Sequence, residues 1–166
     1  MNTTVDSLQE QLRRWVLLIG VTQVLFGCLV AFTPPTAVPW FRGIVMAHIE
    51  FTANGVLMTV LGLLSRELRL SAGAWRIWFW TLIVGTWTNG AAGLVGAFAG
   101  QSSRLMPTLN QSFPAPGGAG NPAVTGLLLV CGVTIVIALA LTIPASPEAR
   151  ARRRRRSATS SRNRAA

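Results

Sequence analysis

The segment that decides the fold, residues 44–64, reads IVMAHIEFTANGVLMTVLGLL. At a rise of about 1.5 Å per residue, a helix of this length spans roughly 30 Å, the hydrocarbon thickness of a bilayer. Three strongly polar side chains, His48, Glu50 and Asn54, interrupt this largely apolar run. Because polar groups are costly inside a bilayer, three of them in one span indicate a candidate functional site.

Three further apolar segments have the length of a membrane span. The chain is 51% hydrophobic and 12% charged but carries a net charge of +10, which is typical of apolar spans with basic ends. Backbone polar groups in lipid need internal partners, so we expect helices. The sequence predicts an all-α, integral-membrane four-helix bundle in residues 1–145 and a basic, disordered tail in residues 146–166. The spans are predicted at residues 15–32, 44–64, 77–98 and 124–143.

Arginine placement predicts the orientation. Thirteen of the 15 arginines lie in the N-terminal segment, the connection between the second and third spans, and the tail, whereas the other connections hold only Arg42 and Arg104. The positive-inside rule then predicts that both termini are cytoplasmic. Arginine without any lysine indicates a GC-rich bacterial genome, so we expect the bacterial inner membrane. The basic tail is expected to contact anionic lipid, and no nucleic-acid partner is expected. Three tryptophans beside Arg76 are predicted to anchor the third span at the interface: Trp75, Trp78 and Trp80.

Depth along the helices predicts which polar groups meet. His48 lies roughly 6 Å and Asn54 roughly 15 Å inside the outer hydrocarbon boundary, while Trp87 and Asn89 lie roughly 15–18 Å from the cytoplasmic one. We therefore expect Asn54, Trp87 and Asn89 to meet near the midplane, with Glu50 between this layer and His48. Glu50 and Asn54 share a helix face, whereas His48 points about 120° away from Asn54. His48 should therefore face a different seam, within the chain or towards a neighbouring subunit.

The chemistry of these side chains leaves several roles open. His48 is the only histidine of the chain, and imidazole is a common ligand of metals and haem iron. It can also relay protons beside Glu50, or simply hydrogen-bond a neighbouring helix, which is worth about 0.6 kcal/mol. A charged acid at the centre of a span costs on the order of 2.5–3.5 kcal/mol, so one such bond does not offset Glu50. Cys28 and Cys131 are predicted to be small apolar fillers, with metal ligation as the alternative.

The stretch MAHIEFTANG at residues 46–55, followed by WTNG at residues 87–90, resembles the styrene oxide isomerase family. The resemblance covers all four spans and implies a homotrimer that holds haem b between protomers. It implies that His48 is the axial iron ligand, with Trp87 at the cofactor, and that Asn54 and Asn89 serve the substrate. Open-coordinate iron would then act as a Lewis acid on a small lipophilic epoxide, which rearranges to a carbonyl compound.

Two positions depart from the family pattern. Where the family carries an aspartate before the tryptophan and a tyrosine after the asparagine, this chain has Gly85 and Gly93, and it contains no tyrosine. We expect these glycines to leave a roomier or differently shaped pocket, with Glu50 supplying part of the missing polarity. We therefore expect this chain to share the cofactor of the family more surely than its epoxide isomerisation. The alternatives are a haem enzyme for nitrogen–oxygen compounds, a haem protein for electron transfer or sensing, and a small transporter subunit.

Overall fold

The computed structural model describes residues 3–143, with side chains from residue 5 onwards. It contains the helices α1 (Thr3–Val30), α2 (Phe41–Leu64), α3 (Ala72–Ala99), α4 (Pro107–Ser112) and α5 (Pro122–Thr142), with 3₁₀ turns at Pro35–Ala37 and Ser65–Glu67. Within residues 3–143 there is no strand, only an isolated bridge between Ser103 and Gly120. Four of the helices are long and apolar enough to cross a membrane, so the predicted all-α membrane fold is confirmed. The predicted tail lies outside the described residues.

The first and third spanning helices begin earlier than hydropathy predicts. α1 begins at residue 3 and α3 at residue 72, which is 12 and 5 residues before the predicted spans. Near the start of α1, Glu10 accepts hydrogen bonds from Arg13 at 2.8 Å and Arg14 at 3.0 Å. Such i,i+3 and i,i+4 pairs support a polar helical turn that a search for apolar runs passes over. In α1, hydropathy therefore finds the apolar centre of the helix and misses its polar start.

Side-chain caps and special backbone conformations fix several helix ends. Ser71 caps α3 by accepting from the Ala74 amide at 3.4 Å. Asn121 caps α5 by accepting from the amides of Ala123 at 2.9 Å and Val124 at 3.1 Å. α3 ends at Gly100, whose φ of 64° is the left-handed conformation that glycine adopts without steric cost. These caps satisfy amides and carbonyls that would otherwise lack partners at the helix ends.

Close helix contacts at glycine hold the bundle together. α1 packs along α2, α2 along α3, and α5 along α3, with a shorter contact between α1 and α3. A Cβ atom on Gly55 would lie 2.7 Å from the carbonyl oxygen of Gly20, and one on Gly43 would lie 2.7 Å from the amide nitrogen of Ala97. Lipid supplies no hydrophobic force between helices, so association depends on such close packing. α2 is consequently in close contact with a different helix on each of two faces.

The tryptophans of α3 depart from the predicted interfacial anchor. Trp75 and Trp78 have no exposed surface, and the Trp78 Nε1 donates to the Thr142 hydroxyl of α5 at 3.0 Å. Only Trp80 is exposed, at 61%. The prediction is wrong for Trp75 and Trp78, because their face of α3 packs in the interior of the helix bundle, together with Ala138 of α5. In an apolar span, composition alone does not separate the face towards lipid from the face towards other helices.

The arginines of residues 3–143 separate to opposite ends as predicted. Gln9 Nε2 donates to the Ser65 carbonyl at 2.9 Å, which places the start of α1 beside the connection between α2 and α3. Arg66 and Arg69 line a surface cavity there. At the opposite end of α2, the Arg42 guanidinium stacks 4.1 Å from the centroid of the Phe113 ring. The charge asymmetry is thus present, and the assignment of the basic end to the cytoplasm stays a prediction.

Candidate functional site

A carboxyl–amide cluster joins α2 to α3 inside the spanning region. Asn54 Nδ2 donates to Glu50 Oε2 at 3.3 Å along α2. Asn89 Nδ2, from α3, donates to the same oxygen. All three side chains are partly buried. The expected meeting of Asn54 and Asn89, and the shared face of Glu50 and Asn54, are therefore confirmed, whereas the contact of Glu50 with Asn89 was not predicted.

The two amides leave the carboxyl group of Glu50 with chemically different oxygens. Oε2 accepts both hydrogen bonds, whereas Oε1 forms no hydrogen bond with any residue between 3 and 143. A proton carried by this carboxyl group therefore belongs on Oε1, the oxygen with free lone pairs. The two amides can consequently hold Oε2 in place while Oε1 stays available to a bound molecule.

His48 lies on a different face of α2 and contacts a different helix. Its Nδ1 lies 2.9 Å from the carbonyl oxygen of Gly27 on α1. A carbonyl oxygen only accepts, so Nδ1 carries the proton of this hydrogen bond. In the neutral ring, Nε2 then retains a lone pair that can bind a metal or accept a proton. The predicted separation of His48 from the Glu50 cluster is confirmed, and the contact of Nδ1 with a neighbouring helix is the simplest of its expected roles.

Trp87 does not join the hydrogen bonds of the polar cluster. Its ring packs against Phe26 of α1 and Phe51 of α2, with centroid separations of 5.8 and 5.6 Å. Phe26 and Phe51 are themselves 4.9 Å apart in an edge-to-face arrangement. Trp87 and Asn89 are two residues apart on α3, about 200° around the helix, so their side chains diverge. The expectation that Trp87 would meet the two asparagines is therefore wrong, while its role at a cofactor stays a prediction.

Gly85 and Gly93 do not leave a roomier pocket. A Cβ atom on Gly85 would lie 2.7 Å from side-chain atoms of Ile135 and Thr134, because α5 packs directly against this position. A Cβ atom on Gly93 would lie 2.8 Å from the backbone nitrogen of Ala47 on α2. The helices approach and fill the space that larger side chains would occupy, so the expectation of a roomier pocket is wrong, while a differently shaped pocket stays a prediction. Polarity at the site comes from Glu50 and the two asparagines instead.

The two cysteines lie apart, one on each outer helix. Cys28 of α1 is exposed and Cys131 of α5 is partly buried, and both are free. Among the described residues, no cluster of three or more His, Cys, Asp or Glu side chains has the geometry to hold a metal ion. A ligand role for either thiolate stays untested. Iron bound to a single imidazole needs no such cluster, because the porphyrin supplies the other donors.

Sequence reasoning missed the residues of α1 that complete this region. Gly27 supplies the carbonyl for His48. Gln23 is fully buried and donates from Nε2 to the Thr86 carbonyl at 2.9 Å. Gln23 Oε1 and the Thr52 hydroxyl are the buried side-chain oxygens without a partner within residues 5–143. A polar residue in the middle of the first span was the available signal for Gln23, whereas a backbone carbonyl such as that of Gly27 has none.

Comparison with known proteins places this architecture in a family. The family model described as styrene oxide isomerase matches residues 12–146. A curated relative, the hydroxylaminobenzene mutase HabB of Ectopseudomonas oleovorans, is 31% identical over 128 residues, which cover 77% of this chain and 74% of that protein. No solved structure matches. The family match includes all four spanning helices, the His48 seam and the Glu50 cluster, and the chain therefore belongs to the styrene oxide isomerase family.

Proposed function

We propose that this protein is a membrane enzyme that rearranges a small lipophilic nitrogen–oxygen compound, with an aryl hydroxylamine as the favoured substrate class. Its family and its relative indicate an isomerase-type membrane enzyme, and the printed name of the relative favours the nitrogen–oxygen variant. The observation that carries the proposal is the orientation of Glu50 by Asn54 and Asn89 within apolar helices. An oriented carboxyl group that exchanges protons with a bound molecule is the basic requirement of an acid–base rearrangement.

The rearrangement conserves atoms and electrons. For hydroxylaminobenzene, the nitrogen–oxygen bond breaks, the hydroxyl group forms an oxygen–carbon bond at the ring, and the nitrogen gains one proton in place of the proton that the ring carbon loses. The product, an aminophenol, is an isomer of the substrate. Glu50 supplies the proton from Oε1 and recovers one at the end, while Asn54 and Asn89 hold Oε2 in place. The substrate class reaches the site through lipid, since the surrounding spans are apolar.

His48 is proposed to hold haem b as its axial iron ligand. The donor chemistry fits, because Nδ1 is engaged by the Gly27 carbonyl and Nε2 is the ring nitrogen left for a metal. When bound, haem iron with an open position supplies a Lewis acid for the substrate oxygen. Trp87 is proposed to lie at the cofactor, and the haem to lie between the protomers of a homotrimer. His48 is partly exposed at the α1–α2 seam, which supports a site completed from outside the chain.

Incubation of detergent-solubilised protein with hydroxylaminobenzene tests the reaction. We expect an aminophenol of unchanged mass, formed without an added oxidant or reductant and above the rate in protein-free buffer. Styrene oxide serves as the second substrate, since epoxide rearrangement is the reaction named by the family. Turnover of styrene oxide alone would replace the proposed substrate class with epoxides. Conversion of neither compound by haem-loaded, folded protein would contradict the proposal.

The absorption spectrum of the purified protein tests the cofactor. We expect a Soret band that is lost in His48→Ala while the oligomer elutes unchanged in size-exclusion chromatography. Protein that is purified without haem and does not bind added haem would contradict the proposed cofactor. A six-coordinate bis-histidine spectrum would favour the electron-transfer or sensor interpretation, which needs two protomers to share their histidines because each chain has one. Proton flux into liposomes that is lost in Glu50→Gln would favour the transporter interpretation.

The orientation and assembly are proposed from the charges and the family likeness. We place the basic end, with both termini, in the cytoplasm of a bacterium, because Arg13 and Arg14 share one end of the bundle with Arg66 and Arg69. Reporter fusions at each terminus test the orientation. Native mass spectrometry in a mild detergent tests the trimer and its haem stoichiometry, and a monomer that retains haem would contradict a shared site.

A further inference from the structure

The protonation pattern of the His48 ring depends on how closely α1 approaches α2. The hydrogen bond from Nδ1 ends on the Gly27 backbone carbonyl at 2.9 Å, and this carbonyl can only accept. Of the two neutral forms of the ring, the contact therefore selects the one with hydrogen on Nδ1 and a lone pair on Nε2. A histidine without this partner is free to adopt the other form, which has the proton on Nε2 and no lone pair there.

Glycine at position 27 is what permits this approach. A Cβ atom on Gly27 would lie 2.6 Å from the Thr52 hydroxyl oxygen, 2.9 Å from the Thr52 amide nitrogen and 3.1 Å from the Phe51 Cβ. The Thr52 hydroxyl could rotate away, but the backbone amide of α2 could not. Any larger side chain at position 27 therefore pushes the two helices apart at the level of His48. The Gly27 carbonyl would then withdraw from the imidazole.

We propose that Gly27 is a positioning residue for His48. By lacking a side chain, it brings a backbone carbonyl of α1 onto Nδ1, so that in the neutral ring the lone pair lies on Nε2, which is directed away from that carbonyl. The inference deepens the proposed function, and its link to catalysis rests on that function, because Nε2 is the atom assigned to iron. The state of the ring itself is a property of the chain without any cofactor, and it can be measured separately.

Nitrogen NMR of the haem-free protein tests the ring state directly. His48 is the only histidine, so protein labelled with ¹⁵N-histidine and purified through a histidine-free affinity tag gives signals from one imidazole. At alkaline pH we expect a protonated, pyrrole-type Nδ1 and an unprotonated, pyridine-type Nε2. Free histidine in water favours the opposite form, so the expected result is diagnostic. A protonated Nε2 in the wild-type protein would overturn the inference without any variant.

Gly27→Ala tests the cause, with Gly20→Ala as the matched control. A Cβ atom on Gly20 would lie 2.8 Å from the Thr59 hydroxyl, 3.0 Å from the Gly55 carbonyl and 3.1 Å from the Met58 Cβ. It is therefore crowded to a similar extent on the same helix seam, two helical turns from Gly27. We expect Gly27→Ala to shift the ring towards protonated Nε2 and Gly20→Ala to leave it unchanged. Equal shifts in both variants, or none in folded Gly27→Ala, would show that Gly27 has no specific role.

Haem titration extends the test to the proposed function. If Nε2 is the iron ligand, loss of the partner on Nδ1 weakens haem binding in Gly27→Ala by about 10- to 100-fold, as loss of such a partner does in other metal sites. Gly20→Ala should bind haem as the wild type does. If the ring is protonated on Nδ1 as expected but the protein binds no haem, the haem proposal is contradicted and the assignment of the ring state is not. Unchanged haem affinity in a variant with an altered ring would overturn the positioning role.

Discussion

Two faces of α2 carry polar groups that are held in opposite ways. On the face towards α3, the Glu50 carboxyl group accepts hydrogen bonds from the side-chain amides of Asn54 and Asn89. On the face towards α1, His48 is held by a backbone carbonyl, which is available only because position 27 is glycine. The difference teaches that the first site depends on side-chain identity and the second on the distance between helices. The two should therefore respond to different kinds of substitution.

Glu50→Gln is the substitution with the largest expected effect on activity. It removes the acidic proton but keeps the size of the side chain, and loss of a general acid–base costs about 10²–10⁴-fold in rate. Since His48 lies on the other face, its ring state and the haem spectrum should not change. The measurement is turnover at a matched concentration of haem-loaded protein. Exposed Glu67 in the connection after α2 supplies the control, because Glu67→Gln should retain full activity.

An altered haem spectrum in Glu50→Gln would contradict the independence of the two faces. It would mean that the carboxyl group acts through the cofactor or through the α1–α2 seam. Retained turnover with an unchanged spectrum would instead exclude Glu50 from the chemistry. The first outcome therefore tests the independence of the two faces of α2, and the second tests the role of Glu50 in the reaction.

Gly93→Tyr tests whether close approach of helices also governs the α2–α3 face. This change introduces the tyrosine of the family pattern, but the first side-chain atom would meet the Ala47 backbone at 2.8 Å. Overpacking of this kind costs about 1–3 kcal/mol or more, so we expect lower stability and no gain in epoxide turnover. Gly132→Tyr on α5 is the control, because a Cβ atom there has nothing within 4 Å. Stable Gly93→Tyr protein with new epoxide activity would show that α2 and α3 separate readily.

The fold and much of the side-chain cluster could be predicted from the sequence, because both depend on where residues lie along a helix. Apolar length predicts a span whatever surrounds it, helical periodicity places Glu50 and Asn54 on one helix face, and depth places Asn54 near Asn89. The carbonyl partner of His48 was not predictable, because every residue has a carbonyl and only the approach of two helices selects one. The buried positions of Trp75 and Trp78 were missed for a related reason, since lipid and protein interiors are both apolar.

The amides around Glu50 should differ in their contribution to stability. Asn89 connects two helices, whereas Asn54 donates along its own helix at 3.3 Å. Hydrogen bonds between membrane helices average about 0.6 kcal/mol and reach about 1.7 kcal/mol, so we expect Asn89→Ala to lower the free energy of unfolding within that range. Asn54→Ala should lower it less. The unfolding free energies of the single and double variants give the coupling between the two amides, and a larger effect of Asn54→Ala would reverse the assigned roles.

Gln23→Leu is the substitution with the smallest expected effect, although Gln23 is fully buried in a span. Its Nε2 donates to the Thr86 carbonyl, but its Oε1 is buried without a partner among the described residues. Leucine removes both atoms, and the Thr86 carbonyl keeps its place in the hydrogen-bond ladder of α3. A lost hydrogen bond and a relieved desolvation penalty are each worth about 1 kcal/mol, so the free energy of unfolding should change by less than about 1 kcal/mol. A much larger loss of stability would mean that Oε1 is satisfied in the membrane, by water or by another chain, and that the contact between α1 and α3 is polar rather than held by close packing alone.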